Sequence, residues 1–224
     1  MNNETPVEAV IFDMDGLLID SETLAMECLA TAGVELGFDM PMRLCRMMIG
    51  VPADRCREIV LRTFGAEFPV TEYFELHESH LRHVVESGRL RTKPGATALL
   101  DSLDRQAIPK AIVTSSSKAR VDHCLRMVGI DDRFDLVVSR EDVRYGKPHP
   151  ESYCRAVDSL GGEREKTLAM EDSPAGLQAA CAAGIRCILI PDLIEPDDNS
   201  RRIAHRIFQD LFEAAAYITA ANKS

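Results

Sequence analysis

Short apolar blocks, each ended by polar residues or by proline, recur along this chain. Five of them have the length and composition of buried parallel strands, namely residues 7–12, 111–113, 136–138, 168–170 and 185–190. Between the later blocks, apolar residues recur three and four positions apart, which predicts helices over residues 96–103, 121–128, 150–160 and 174–183. Strands that alternate with helices predict an α/β fold, with a parallel sheet covered by helices on both faces.

One long stretch departs from this alternation. Residues 21–91 show helical periodicity and no convincing strand, and Gly50-Val51-Pro52 and Phe68-Pro69 punctuate them. Because the first strand precedes this stretch and the remaining strands follow it, we expect an inserted helical subdomain. The predicted organisation is a core domain of residues 1–20 and 92–224 and an all-helical domain of residues 21–91.

Charge and composition narrow the functional classes. The 224 residues carry a formal net charge of −10, which argues against nucleic acid or an anionic membrane as a partner. No apolar run approaches the roughly 18 residues of a membrane span, and residues 1–6 lack the features of a signal peptide. The seven cysteines form no CxxC pair, which is typical of reduced thiols, so we expect a cytoplasmic protein.

The first candidate for chemistry follows the first predicted strand. Asp13 and Asp15 stand two residues apart and are followed by Gly16. In an extended chain, residues two apart point to the same side, so both carboxylates can face one spot. Two neighbouring carboxylates repel each other, and such a pair implies a cation or a shared proton.

A second acidic pair, Glu171 and Asp172, follows the strand predicted at residues 168–170. Ligands of open α/β sheets bind at the carboxyl ends of the strands, where both acidic pairs are expected. Four converging carboxylates need a divalent cation, and oxygen ligands favour Mg²⁺ over zinc. The predicted metal ligands are therefore Asp13, Asp15, Glu171 and Asp172.

Two further segments can bind an anion at the same edge. Thr114, Ser115 and Ser116 follow the strand predicted at residues 111–113, where hydroxyls and free N–H groups form an anion cradle. Lys147 stands between a glycine and a proline and can supply a fixed positive charge. Taken alone, the first segment is also typical of a helix N-cap, and Lys147 is also typical of an exposed lysine in a loop.

Together these segments resemble the four motifs of the haloacid dehalogenase superfamily, and the match extends from residue 7 to about residue 191. The motifs are Asp13-Met14-Asp15-Gly16, Thr114-Ser115, Lys147 and Glu171-Asp172. The sequence of residues 15–22 resembles that of the subgroup in which a helical cap is inserted after the first motif. The resemblance implies a Rossmann-like core with a cap, and Mg²⁺-dependent hydrolysis of a small phosphorylated metabolite such as a sugar phosphate. Members of this subgroup are often monomers.

The resemblance also implies a role for each motif residue. Asp13 is the implied nucleophile, and Asp15 protonates the leaving oxygen and then activates water. Mg²⁺ is held by Asp13, the main-chain carbonyl of Asp15 and Asp172, with Glu171 as a direct or water-mediated ligand. Lys147 and a hydroxyl of the second motif stabilise the transferring phosphoryl group.

The position of that hydroxyl is left open between Thr114 and Ser115, with a slight preference for Thr114. Gly16, Ser116 and the residues of the second motif complete the expected phosphate-binding set, together with Lys147. In the insert, the loop that contains Gly50 is expected to reach the substrate when the cap closes.

Three alternatives to a sugar-phosphate phosphatase follow from the same motifs. A phosphomutase of the β-phosphoglucomutase type usually carries a histidine and an arginine where this chain has Ala25 and, near the cap loop, Ala53. Phosphoglycolate phosphatases usually follow the motif-two threonine with Asn-Lys, where this chain has Ser115-Ser116. A non-catalytic binding module on the same fold is expected to have degenerate motifs.

Overall fold

The computed structural model describes residues 5–51 and 53–223, without the side chain of Ala53. Residues 1–4, Pro52 and the Ala53 side chain, which enter the predictions from the sequence, lie outside the described residues. The chain forms two compact units. One combines the chain up to Ile19 with the chain from Thr92 onward, and the other is the continuous segment Asp20–Arg91.

The first unit contains a six-stranded sheet in which every neighbouring pair is parallel. The strands are β1 (Ala9–Phe12), β2 (Lys110–Val113), β3 (Leu136–Val138), β4 (Thr167–Glu171), β5 (Arg186–Leu189) and β6 (Arg206–Ile207). Their order across the sheet is β3-β2-β1-β4-β5-β6, so β1 lies in the interior between β2 and β4. The predicted α/β class and its first five strands are confirmed.

All four residues of β1 are buried, as expected of a strand that is covered on both faces. Ile11, Ala111 and Ala169 of the three central strands share one core cluster with Tyr153 and Leu177 of the surrounding helices. Burial of this kind supplies the main favourable term for folding. It also fixes the sheet edge at which the polar motif residues emerge.

The helices of the first unit are α5 (Ala96–Arg105), α6 (Lys118–Val128), α7 (Glu151–Leu160), α8 (Pro174–Ala182), α9 (Asp198–Ile203) and α10 (Leu211–Ala221). Side-chain caps from Ser117, Ser173, Asp197 and Asp210 set the starts of α6, α8, α9 and α10. The Ser117 hydroxyl accepts a hydrogen bond from the Arg120 N–H at the start of α6. The Ser173 hydroxyl accepts from the Gly176 N–H at the start of α8.

The second unit is built from the helices α1 (Ser21–Glu35), α2 (Met42–Arg46), α3 (Ala53–Phe64) and α4 (Val70–Glu86). Across its described part, residues 20–51 and 53–91, there is no strand. An aromatic cluster joins Phe38, Phe64 and Phe68 to Tyr73, with ring centroids 4.7–5.5 Å apart. The buried Tyr73 hydroxyl donates to the Leu29 carbonyl oxygen at 3.0 Å.

The chain leaves and re-enters the first unit through a short paired stem. The Gly16 N–H donates to the Ile19 carbonyl, and Ile19 forms an antiparallel bridge with Thr92. The Lys93 N–H then donates to the Leu18 carbonyl at 2.9 Å. Among the described helices, none combines the length and the apolar character that a membrane span requires.

Candidate active site

Strand register brings the first and fourth motifs to the same level of the sheet. Phe12 of β1 is paired with Ile112 of β2 and with Met170 of β4. Asp13 follows Phe12 directly, and its N–H donates to the Met170 carbonyl at 3.0 Å. Asp13 is therefore fixed beside Glu171 at the carboxyl end of the sheet, as the sequence predicts.

Lys147 connects three strands at this edge. Its Nζ lies 2.5 Å from Asp13 Oδ1 and 2.5 Å from Glu171 Oε1, and it donates to the Val113 carbonyl at 2.9 Å. The Lys147 side chain is only 6% exposed. The alternative interpretation of Lys147 as an exposed loop lysine is therefore wrong, because the loop that precedes α7 directs this side chain into the core between two carboxylates.

Burial and charge set the protonation of this group. Burial raises the pKa of Asp13 to about 8; Lys147 opposes that shift, and Glu171 adds to it. Burial alone would lower the pKa of Lys147, but Asp13 and Glu171 raise it above its ordinary value. Lys147 is therefore a permanent cation, and Asp13 needs a further positive charge to remain ionised at neutral pH.

Glu171 is fully buried and held by three side-chain donors. Its Oε1 accepts from Lys147 and from the Tyr153 hydroxyl, both at 2.5 Å, and its Oε2 accepts from the Ser173 hydroxyl at 3.1 Å. A Cβ at position 176 would lie 1.9–2.0 Å from the Glu171 carboxylate, so only glycine fits there. The first turn of α8 is thus shaped around this carboxylate.

The predicted magnesium ligands can be tested against this geometry. Carboxylate oxygens of Asp13, Glu171 and Asp172 all lie within 4.8 Å of one another, and all three residues are buried. Lys147 contacts Asp13 and Glu171, and its single positive charge does not balance both carboxylates when both are ionised. Oxygen-only ligands and uncompensated charge fit a hard divalent cation.

The carboxylate of Asp15 is engaged away from this group. Its Oδ2 accepts from the Ser116 hydroxyl at 2.7 Å, and its Oδ1 lies 3.1 Å from Nη2 of Arg120. The chain turns immediately after β1, where the Met14 carbonyl accepts from Leu18 and Ile19, so the two aspartates do not continue an extended strand. Asp13 and Asp15 therefore have different partners, although the sequence places them two residues apart.

The remaining predicted phosphate-binding residues of the first unit lie around Asp15. Gly16 has φ 81°, the left-handed conformation that favours glycine at this turn. Thr114 is buried, and its hydroxyl accepts from the Ser116 N–H at 3.0 Å, whereas Ser115 is exposed. Gly50 lies in the second unit with φ 67°, and its predicted contact with substrate stays a prediction.

Two residues that contact the motifs, Tyr153 and Arg120, are not among the predicted site residues. Tyr153 reaches Glu171 from α7, and its only sequence signal is a tyrosine six positions after Lys147. Arg120 had a clearer signal, because a cation in the first turn of a helix opposes the helix dipole unless an anion is near. The strand β6 was also missed, because its two exposed residues form no apolar run.

Comparison with known proteins agrees with this arrangement. The family model described as haloacid dehalogenase-like hydrolase matches residues 10–190. The chain belongs to this family. The match includes all four motifs, so the resemblance expected from the sequence is confirmed.

Individual relatives of this hydrolase cover nearly the same length. The phosphorylated carbohydrates phosphatase of Thermotoga maritima is 32% identical over 81% of this chain and 84% of its own. The crystal structure of a HAD family hydrolase from Deinococcus radiodurans R1, with bound phosphate and sodium, is 25% identical, with a TM-score of 0.83 and coverage of 97% of both chains. CbbY from Rhodobacter sphaeroides in complex with phosphate is 25% identical, with a TM-score of 0.75 over 92% of this chain and 96% of its own. The predicted enzyme class, a phosphoric monoester hydrolase, is confirmed at the level of the family.

Proposed function

We propose that this protein is a Mg²⁺-dependent phosphatase that hydrolyses a small phosphorylated carbohydrate through an aspartyl-phosphate on Asp13. The observation that carries the proposal is the position of Lys147, which contacts both Asp13 and Glu171 at 2.5 Å beside Asp172. A carboxylate, a fixed cation and two further acids at one sheet edge are the parts that phosphoryl transfer needs.

In the first step an oxygen of Asp13 attacks phosphorus. The bond from phosphorus to the leaving oxygen breaks, its electron pair stays on that oxygen, and the oxygen takes a proton from Asp15. Lys147 supports this step because its ammonium group is fixed next to the attacking carboxylate, where negative charge develops on the phosphoryl oxygens.

In the second step Asp15 removes a proton from a water molecule that attacks the same phosphorus. The bond between phosphorus and Asp13 breaks, and inorganic phosphate leaves. Ser116 and Arg120 support this role because they hold the Asp15 carboxylate beside the serine-rich turn after β2. Of the two hydroxyls left open above, we propose Ser115 as the phosphate ligand, because Thr114 is buried and its hydroxyl is bonded within the turn.

Asp13, Asp172 and Glu171 would hold the Mg²⁺ ion, with the Asp15 carbonyl as the further ligand that the family implies. When bound, the ion supplies positive charge that offsets the repulsion between carboxylate and phosphate. The buried Asp13 needs such a charge, because burial raises its pKa to about 8.

The proposed substrate class follows from a relative of this chain. The Thermotoga relative is by name a phosphatase of phosphorylated carbohydrates. We propose that the helical unit Asp20–Arg91 acts as a cap and that its Gly50 loop contributes to substrate choice. All seven cysteines are free, which is consistent with a reducing cytoplasmic setting.

The proposal is tested by phosphate release from a panel of phosphorylated sugars and small acids, with Mg²⁺ or with a chelator. We expect Mg²⁺-dependent release by the wild type, strongest for sugar phosphates. The Asp13→Asn variant should lose at least about a thousand-fold in kcat, because it removes the nucleophile.

Three other outcomes of this experiment would contradict the proposal. Release that persists in Asp13→Asn would refute the covalent mechanism. Interconversion of hexose phosphate isomers with a bisphosphate activator, without net phosphate release, would indicate a mutase. A folded wild type that releases no phosphate from any compound would favour a binding module.

A further inference from the structure

Tyr153 contacts the catalytic group without belonging to any of the four motifs. Its hydroxyl donates to Glu171 Oε1 at 2.5 Å, the same oxygen that accepts from Lys147. The Lys147 ammonium also lies over the Tyr153 ring, 5.5 Å from its centroid. Tyr153 thus touches both partners of the ion pair that fixes the position of Lys147.

The hydroxyl of Tyr153 has no role in packing. The ring is fully buried in the core cluster with Ile11, Ala169 and Leu177, where a phenylalanine ring would fill the same space. A buried hydroxyl stabilises nothing unless it is hydrogen-bonded, and its one described bond is to Glu171.

The shared oxygen links this hydroxyl to the reacting group. Glu171 Oε1 accepts from two donors, and Lys147 in turn divides its ammonium group between Glu171 and Asp13. With the Tyr153 donor removed, more negative charge on Oε1 is left for Lys147 to balance. Lys147 is then drawn toward Glu171 and away from Asp13, where phosphoryl transfer takes place.

We propose that Tyr153 is a positioning residue for phosphoryl transfer, whose hydroxyl shares Glu171 Oε1 with Lys147 and so keeps the Lys147 ammonium against Asp13. This inference rests on the function proposed above. It differs from a general structural role because it predicts a change in kcat that does not follow from a change in stability or in metal affinity.

The test compares Tyr153→Phe with Tyr73→Phe in the full chain. Both substitutions remove one buried tyrosine hydroxyl, but Tyr73 donates to the Leu29 carbonyl in the helical unit, remote from the motifs in sequence. For both variants we would measure kcat and KM with p-nitrophenyl phosphate, the Mg²⁺ dissociation constant by calorimetry and the melting temperature.

For Tyr153→Phe we expect kcat to fall about tenfold, which is typical when a residue that hydrogen-bonds to a metal ligand is replaced. KM and the Mg²⁺ dissociation constant should stay within about threefold of the wild-type values. Tyr73→Phe should lower the melting temperature by a similar amount and leave kcat at the wild-type value. The inference is overturned by a Tyr153→Phe enzyme with wild-type kcat, by an equal loss in Tyr73→Phe, or by a loss that disappears at saturating Mg²⁺. An inactive wild type would instead refute the proposed function, and the inference with it.

Discussion

Asp13 and Asp15 stand two residues apart in the chain and occupy two different electrostatic environments. Asp13 is 7% exposed and held by Lys147 in a group of buried carboxylates. Asp15 has a side chain that is 24% exposed, and its partners are Arg120 and Ser116. The turn that begins at Met14 separates them, because it directs the second side chain toward the serine-rich loop after β2.

This difference suits the two chemical roles proposed for these residues. A nucleophile benefits from a fixed cation and from exclusion of water, since both strengthen the interaction with the transferring group. A group that exchanges protons with a leaving group and with water needs access to solvent. The same residue type can thus perform two tasks because its surroundings differ.

Among the partners of the two aspartates, the cation beside Asp13 is expected to have the largest effect when it is removed. Lys147→Met leaves two buried carboxylates without their partner, which costs about 3–5 kcal/mol of unfolding free energy in metal-free buffer at about pH 9, where Asp13 is ionised. We expect kcat to fall about 100- to 1,000-fold, because charge on the phosphoryl group is no longer balanced. Chemical denaturation and steady-state kinetics would measure the two effects.

Lys110→Met is the matched control for this substitution. Lys110 is also a buried lysine of the first unit, and its partner is Asp104 rather than a motif residue. The control should lose stability and keep its kcat. An equal fall of kcat in both variants would show that Lys147 acts through the fold and not through chemistry.

A smaller effect is expected at the more exposed aspartate. Arg120→Met removes one of the two described partners of Asp15, so the carboxylate is held less well and kcat should fall about tenfold. Stability should change by less than about 1 kcal/mol, because this ion pair is partly open to solvent. Arg133→Met, which removes a pair with Asp101 and Asp104, serves as the control. A kcat that rises in Arg120→Met would mean that Arg120 holds Asp15 away from the substrate.

The smallest expected effect is a pH dependence that belongs to Asp13. With its folded pKa raised to about 8, Asp13 retains a proton between roughly pH 4 and pH 8 that the unfolded chain has already lost. Its contribution to metal-free stability therefore falls as pH rises through this range. Mg²⁺ binding must release the same proton, so the stabilisation by Mg²⁺ should increase with pH.

Melting temperatures with Mg²⁺ or with a chelator, at about pH 6 and about pH 9, would measure this effect. We expect the shift produced by Mg²⁺ to be at least about 3 °C larger at the higher pH. Asp13→Asn should lose this increase. A shift of equal size at both pH values would contradict the raised pKa of Asp13.

Much of the fold and of the site could be predicted because both depend on local patterns. Apolar runs mark buried strands, and parallel strands bring their carboxyl ends to one edge, so Asp13 and Glu171 could be paired from sequence alone. The contacts of Tyr153 and Arg120 could not, because they depend on how helices α6 and α7 are rotated against the sheet. The burial of Thr114 and the exposure of Ser115 could not be predicted either, because they follow from the conformation of the turn and not from the residue types.

The discontinuity of the first unit has a consequence for synthesis of the chain. The helical segment Asp20–Arg91 is continuous, whereas β1 finds its neighbours only after residues 110–113 and 167–171 have been made. Because a chain folds from its N-terminal end as it leaves the ribosome, the insert can become compact first. The strand that precedes Asp13 is thus translated before both of its neighbours, and its apolar residues must be kept from aggregation until β4 has been synthesised.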